Sequence, residues 1–202
     1  VIEILSVADG LANLRGYFGD YVELLDGGTG SSNTILALSG NDTLDFNAAM
    51  IEVVNFTIDG GEGDDLIVGT VGDNDIDGGE GDDTIAGHAG TDEIDGGAGE
   101  DTVDYRDSTG VTLSLDRSAN VTATATYYST PEIDVLMNIE NATGGGGDDT
   151  LQGDALDNTL RGEGGDDTLS GGEGIDFLDG GAGANDVADY SYSNAFYGLT
   201  IT

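Results

Sequence analysis

A nine-residue period in glycine runs through two long stretches of this sequence. From Gly60 the chain reads GGEGDDLIV, GTVGDNDID, GGEGDDTIA, GHAGTDEID and GGAGEDTVD, with no slip of phase through residue 104. From Gly144 it reads GGGGDDTLQ, GDALDNTLR, GEGGDDTLS, GGEGIDFLD and GGAGANDVA, through residue 188. Position 1 is Gly in all ten copies, position 6 is Asp seven times and Asn three times, and position 8 is always Ile, Leu or Val. One apolar side chain per copy cannot make a core alone, so the copies must stack on one another.

Each position has a physical reading. The first six residues form a turn, because glycine admits positive φ and leaves its carbonyl uncovered. The last three form a short strand whose central side chain points to one face. Two copies then close one 18-residue coil, and residues 18 apart stack about 4.8 Å apart as parallel strands. This aligns Asp65, Asp83 and Asp101 on one edge, with Asn74 and Asp92 on the other. In the second block Asp149, Asp167 and Asn185 share an edge, and Asn158 and Asp176 share the opposite one.

Charge turns this arrangement into a chemical requirement. The 202 residues carry 41 Asp and Glu against 4 Lys and Arg, a formal net charge of -37. That balance excludes nucleic acid, whose phosphates need basic contacts, and anionic membrane surfaces. No apolar run approaches the ~20 residues of a membrane span, so no membrane insertion is expected. Stacked carboxylates repel unless a cation lies between them. With no cysteine and a single histidine, zinc and thiolate sites are excluded. Carboxylates with glycine carbonyls suit Ca2+, which takes six to eight oxygens, whereas Mg2+ keeps several waters. The buried position-8 side chains are few against the entropy of ordering a chain with 36 glycines. Folding and calcium binding therefore read as one event. A disordered acidic linker, the other reading of such a composition, is at odds with the strict phase.

These copies resemble the RTX, or haemolysin-type, calcium-binding repeat, G-G-x-G-x-D-x-U-x. The stretches DTVDYRDSTGVTLSL and NIENATGGGGDDTLQGDALDNTLRGEGGDDTL further resemble the C-terminal half of serralysin-type secreted proteases. The resemblance implies an all-β fold, a parallel β-roll (β-solenoid) whose two blocks of five nonapeptide repeats are joined by a β-strand segment. It implies ligands from the position-2 and position-4 carbonyls and the Asp of one turn, and from the position-1 and position-3 carbonyls and Asp two repeats on. One site then takes Gly61, Gly63, Asp65, Gly78, Glu80 and Asp83, and the next Gly79, Gly81, Asp83, Gly96, Ala98 and Asp101. The other edge takes Thr70, Gly72, Asn74, Gly87, Ala89 and Asp92. In the second block the sets are Gly145, Gly147, Asp149, Gly162, Gly164 and Asp167, then Glu163, Gly165, Asp167, Gly180, Ala182 and Asn185. A last set, Asn158, Gly171, Glu173 and Asp176, departs from the motif at Leu156, and sites with Asn in place of Asp are expected to be weaker. Three facing pairs per block give about six or more ions.

The remaining segments complete the expected organisation: 1–59, an N-terminal β segment with degenerate repeats, including GGTGSSNTI from Gly27; 60–104, the first block; 105–143, a connecting β segment in which GVTLSLD and VTATATYY alternate like strands; 144–188, the second block; and 189–202, the start of a further module. NAAMIEVV is read as a strand, and the Ile-Glu pairs at Ile51 and Ile139 as entry strands to each block. VIEILSVADG lacks the basic start of a signal peptide, and the chain reads as an excerpt of a longer one. His88, at repeat position 2, is read as a turn residue. The position-7 row of Thr84, Thr102, Thr150, Thr159 and Thr168 suggests ice binding, but Asp75, Glu93, Phe177 and Asp186 interrupt it, and solvated strand residues are the reading kept. Tyr127, Tyr128, Tyr190, Tyr192 and Tyr197 are read as packing over the ends of the rolls rather than as a sugar or partner site. No H-E-x-x-H, G-x-S-x-G or P-loop pattern is present, so no enzyme is expected.

The resemblance implies secretion through a bacterial type I apparatus and folding outside the cell, at the cell surface or beyond it. The leading reading is a calcium-triggered folding and secretion module of a larger exported protein. The alternatives are a calcium-stiffened segment of a surface adhesin and the substrate-binding tail of a secreted enzyme, with any carbohydrate or protein partner left open.

Overall fold

The computed structural model describes residues 2–4, 14–16, 23–25, 33–37, 39–46, 56–116, 121–191 and 200–201. All regular structure among these is β-strand. The chain divides into two compact units, Val1–Asp101 and Thr102–Thr202.

In the first unit, Thr43–Asp45, Leu66–Val68 and Thr84–Ala86 pair in parallel on one side of the roll. Asn33–Leu36, Phe56–Glu62, Asn74–Glu80 and Glu93–Ala98 pair in parallel on the other. Leu66 faces Thr84 and Phe56 faces Asn74, the two-repeat step expected from the period. Each central side chain stacks on its register partner: Ile58 on Ile76 on Ile94, and Leu44 on Ile67 on Ile85, all fully buried. Isoleucine suits such a ladder because its branched side chain packs well on a pleated surface. Burial of each contributes about 1.5–3 kcal/mol.

The first coil is longer than the rest. Asn33 faces Phe56 and Thr43 faces Leu66, and the backbone N–H of Asp42 reaches the carboxylate of Asp65 across 23 residues instead of 18. Residues 37–45, ALSGNDTLD, therefore occupy a repeat that the glycine period does not reveal, with Asp42 at position 6 and Leu44 at position 8.

In the second unit, Thr102–Asp104, Asn141–Thr143, Thr159–Arg161, Phe177–Asp179 and Thr200–Ile201 pair in parallel. Val111–Ser114, Thr150–Gln152, Thr168–Ser170 and Val187–Ala188 form the opposite parallel row. Leu151, Leu160, Leu169 and Leu178 fill the interior. Val111–Ser114 is thus a strand of the roll itself, although it lies outside the glycine period. An antiparallel hairpin, Val121–Tyr127 with Thr130–Met137, follows it and pairs back onto it. The hairpin is anchored where the Tyr105 hydroxyl donates to Asp134 Oδ2 at 2.9 Å, both residues being buried. Ile139 and Glu140 are buried just before Asn141–Thr143 rather than forming a strand themselves. The readings for NAAMIEVV, Ile51–Glu52, Tyr192 and Tyr197 lie outside the described residues.

Candidate metal centre

The position-6 carboxylates form columns, and a repeated hydrogen bond builds them. The backbone N–H of Asp65 donates to Asp83 Oδ1 at 2.7 Å, and that of Asp83 to Asp101 Oδ1 at 2.8 Å. Asp42 donates likewise to Asp65 at 2.7 Å, extending this column by a turn that the sequence reading missed. In the second unit Val111 donates to Asp149 at 2.6 Å and Asp149 to Asp167 at 2.8 Å. Each carboxylate thus reaches back one coil and spends Oδ1 there. Oδ2 of Asp65, Asp83 and Asp167 is buried and accepts no hydrogen bond. A buried anionic oxygen without a partner is costly, and the cost points to a cation.

The invariant glycine at position 1 makes room for this oxygen. A Cβ on Gly60 would lie 2.6 Å from Asp65 Oδ2, and one on Gly78 or Gly162 would collide with the carboxylate of its own repeat, Asp83 or Asp167. The same Cβ on Gly162 would lie 2.7 Å from the carbonyl oxygen of Gly180, one coil on. Carboxylate and carbonyl oxygens therefore converge beneath the position-1 Cα, where only hydrogen fits. Positions 2 and 4 have a different constraint: Gly79 and Gly81 sit at φ 108 and 129, where a side chain is strained. His88 and Glu163 occupy position 2 at φ 72 and 69. His88 is a buried turn residue, as its place in the repeat implies.

The structure brings the predicted ligands together in register. Gly61 faces Gly79, which faces Gly97, while Glu62, Glu80 and Ala98 stack in the next row. Gly61, Gly63, Asp65, Gly78, Glu80 and Asp83 thus lie on adjacent coils at one edge, and Gly79, Gly81, Gly96, Ala98 and Asp101 continue the arrangement. The carbonyls of Glu80, Ala98 and Ala182 each accept one backbone bond, from Gly63, Gly81 and Gly165, and keep a second lone pair. In the second unit Gly145, Gly147 and Asp149 lie beside Gly162, Gly164 and Asp167, with Gly164 N–H donating to Gly145 O at 3.0 Å. Among the described residues no three Asp, Glu or His side chains converge. A cation at these edges therefore draws on two carboxylates and on backbone oxygens, a hard all-oxygen donor set that fits Ca2+.

The asparagine turns are different. Asn74 Oδ1 accepts from Thr70 N–H at 2.7 Å, and its Nδ2 donates to Thr70 Oγ1 at 3.0 Å. Asn158 Nδ2 donates to the Glu140 carbonyl at 2.7 Å, and its Oδ1 accepts from Asp154 N–H at 2.9 Å. These amides satisfy themselves, so the edges of Thr70, Gly72, Gly87, Ala89 and Asp92, and of Gly171, Glu173 and Asp176, depend less on a cation. Asn185 needs a correction. Nine-residue counting puts it at position 6, but Asp167 N–H donates to Asp186 Oδ1 at 3.1 Å, and Thr168 pairs with Val187. One extra residue in the 180–185 turn shifts the register, and Asn185 binds Asp166 instead, through its Nδ2 at 2.8 Å.

A second ladder escaped the sequence reading. At position 5, Asp64, Asp82, Asp148, Asp157 and Asp166 each accept from a backbone N–H one coil on, at 2.7–3.1 Å. These carboxylates are exposed and reach forward where position 6 reaches back.

Burial lifts the carboxyls of Asp65 and Asp149 to about 6, with their neighbours Asp83 and Asp167 adding like charge and backbone N–H groups opposing the rise. Burial also raises Asp83, Asp167 and Asp176. Between the ordinary carboxylate value, near 4, and about 6, the folded state holds protons that the unfolded chain has shed. Calcium-free folding is thus most penalised above pH ~6, and the penalty is relieved as pH falls towards 4. The expected result is more β structure at pH 4.5 than at pH 7.5 in chelator, and a calcium midpoint that rises as pH falls below about 6. Circular dichroism across that range checks both; a midpoint unmoved by pH contradicts them.

A family model for the RTX calcium-binding nonapeptide repeat (four copies) matches residues 27–45, 57–75, 68–103, 143–178 and 162–188, more than half of the chain. No match is found among curated proteins.

Proposed function

The chain belongs to the RTX calcium-binding nonapeptide repeat family, and from that premise we propose that this Ca2+-binding β-roll module is the calcium-triggered folding element of a larger exported protein. It carries no reaction of its own. Its task is to stay extended where calcium is scarce, pass a type I secretion apparatus in that state, and fold outside the cell. The observation that carries this reading is the buried, unpartnered Oδ2 of Asp65, Asp83 and Asp167: at neutral pH a cation would satisfy these oxygens. When bound, calcium supplies the positive charge that lets these carboxylates stack. Asp65, Asp83 and Asp101 would hold it in the first unit, with the carbonyls of Gly61, Gly63, Gly78 and Glu80. Asp149 and Asp167 would hold it in the second, with those of Gly145, Gly147, Gly162 and Gly164.

The affinity decides whether such a module serves export. Extracellular calcium modules bind at about 10⁻⁴–10⁻³ M, and the folding midpoint is expected in that range. A midpoint below about 10⁻⁶ M, where sensor proteins of the cytosol already respond, would overturn the export reading, because the chain would fold before it left the cell.

A further inference from the structure

Among the described residues, the outward-facing strand positions of the larger sheet in the second unit carry no charge, although exposed Asp116, Asp148 and Asp166 lie beyond the strand ends. The side chains turned outward are Thr112 and Ser114, then Thr122, Thr124 and Thr126, then Pro131, Ile133, Val135 and Met137, then Thr150 and Gln152, then Thr168 and finally Val187. Register makes one row of them: Ile133, Thr124, Thr112, Thr150, Thr168 and Val187 are successive partners across six strands. Two features hidden from the sequence produce this row. Val111–Ser114 and the hairpin join the sheet, and the shifted last turn replaces Asp186 with Val187. The equivalent face of the first unit is the opposite in character, with Thr57, Asp75 and Glu93 in one row and Asp59, Asp77 and Asp95 in the next. Beside the neutral row, the hairpin turn presents Tyr128, 79% exposed, and the strand after it presents Ile133, 52% exposed.

We propose that this face binds a neutral polysaccharide. The charge sorts the partners. A chain of net charge -37 repels anionic polymers, and a cationic partner finds its complement on the carboxylate rows of the first unit. A neutral polyhydroxylated chain lying along this row covers no carboxylate within the row itself. The threonine hydroxyls repeat at strand spacing, and each both donates and accepts, as sugar hydroxyls do. Tyr128 offers a ring face with a polar tip, a common anchor at interfaces.

The test is affinity electrophoresis of the full chain in millimolar calcium through gels containing dextran, galactomannan, xyloglucan or laminarin, with alginate as the anionic control. Retardation by at least one neutral polymer and not by alginate is expected. Tyr128→Ala and Thr124→Glu are each expected to weaken it about tenfold or more, while Asp75→Asn leaves it unchanged. No retardation by any neutral polymer, retardation by alginate alone, or full binding by both face variants would overturn the proposal. So would a Thr124→Glu variant that only splits a dimer in sedimentation, since the face would then join two copies of this chain. Circular dichroism of the same samples separates loss of fold, which bears on the calcium reading, from loss of binding.

Discussion

Moving the chain from millimolar calcium into chelator is expected to unfold it. The radius of gyration should rise towards the roughly 48 Å of an unfolded chain of this length, and the β spectrum should collapse to that of a coil. The cause lies in the columns. Asp65, Asp83 and Asp101 stack within a buried edge, and without a cation their like charges oppose the register that the isoleucine ladder favours. That ladder is thin, one buried side chain per repeat, and cannot offset both repulsion and the entropy of a glycine-rich chain. Magnesium should restore far less structure than calcium, because it dehydrates reluctantly and demands a stricter geometry. Small-angle scattering and circular dichroism in the two ions give the answer; equal β content with and without calcium contradicts it.

The second large effect belongs to one residue. Asp83 lies mid-column, receiving the N–H of Asp65 on Oδ1 while its own N–H bonds to Asp101. Its Oδ2 is buried without a partner. On the proposed reading Asp83→Ala removes a carboxylate that two sites would share, and it should raise the calcium midpoint of the first unit about tenfold or more, each tenfold being about 1.4 kcal/mol. Glu80 is also acidic and only three residues away, but its side chain is exposed and only its carbonyl faces the turn. Glu80→Ala keeps that carbonyl and loses a screened surface charge, so its midpoint should move little. Equal shifts in the two variants would mean that general charge neutralisation, not a defined site, drives folding.

Much of this was legible in the sequence because the roll is periodic. Invariant Gly at position 1, Asp at position 6 and an aliphatic at position 8 fixed the coil length, the inward face and the carboxylate columns, and the stacking of Asp65 on Asp83 follows from counting alone. The rest was hidden wherever the count breaks. Asp42 belongs to the column, but Ala37 stands at position 1 of its repeat and the 23-residue coil puts it out of phase with Gly60; the signal available was Gly40-Asn41-Asp42-Thr43-Leu44. Asp186 displaced Asn185 because one turn residue was added, which no glycine spacing reports. Val111–Ser114 carries no glycine turn of its own, so its membership of the roll appears only in its pairing with Thr150–Gln152. The position-5 ladder was invisible for another reason: its acids look like any solvated charge until the N–H groups they bind are located.

The most direct measurement is the position of the ions in crystals grown with calcium, located by anomalous scattering. The account predicts cations within the turns, between Asp65 and Asp83, between Asp83 and Asp101, and between Asp149 and Asp167, about six in all. Fewer than about four ions, or ions lying away from these turns, would contradict it.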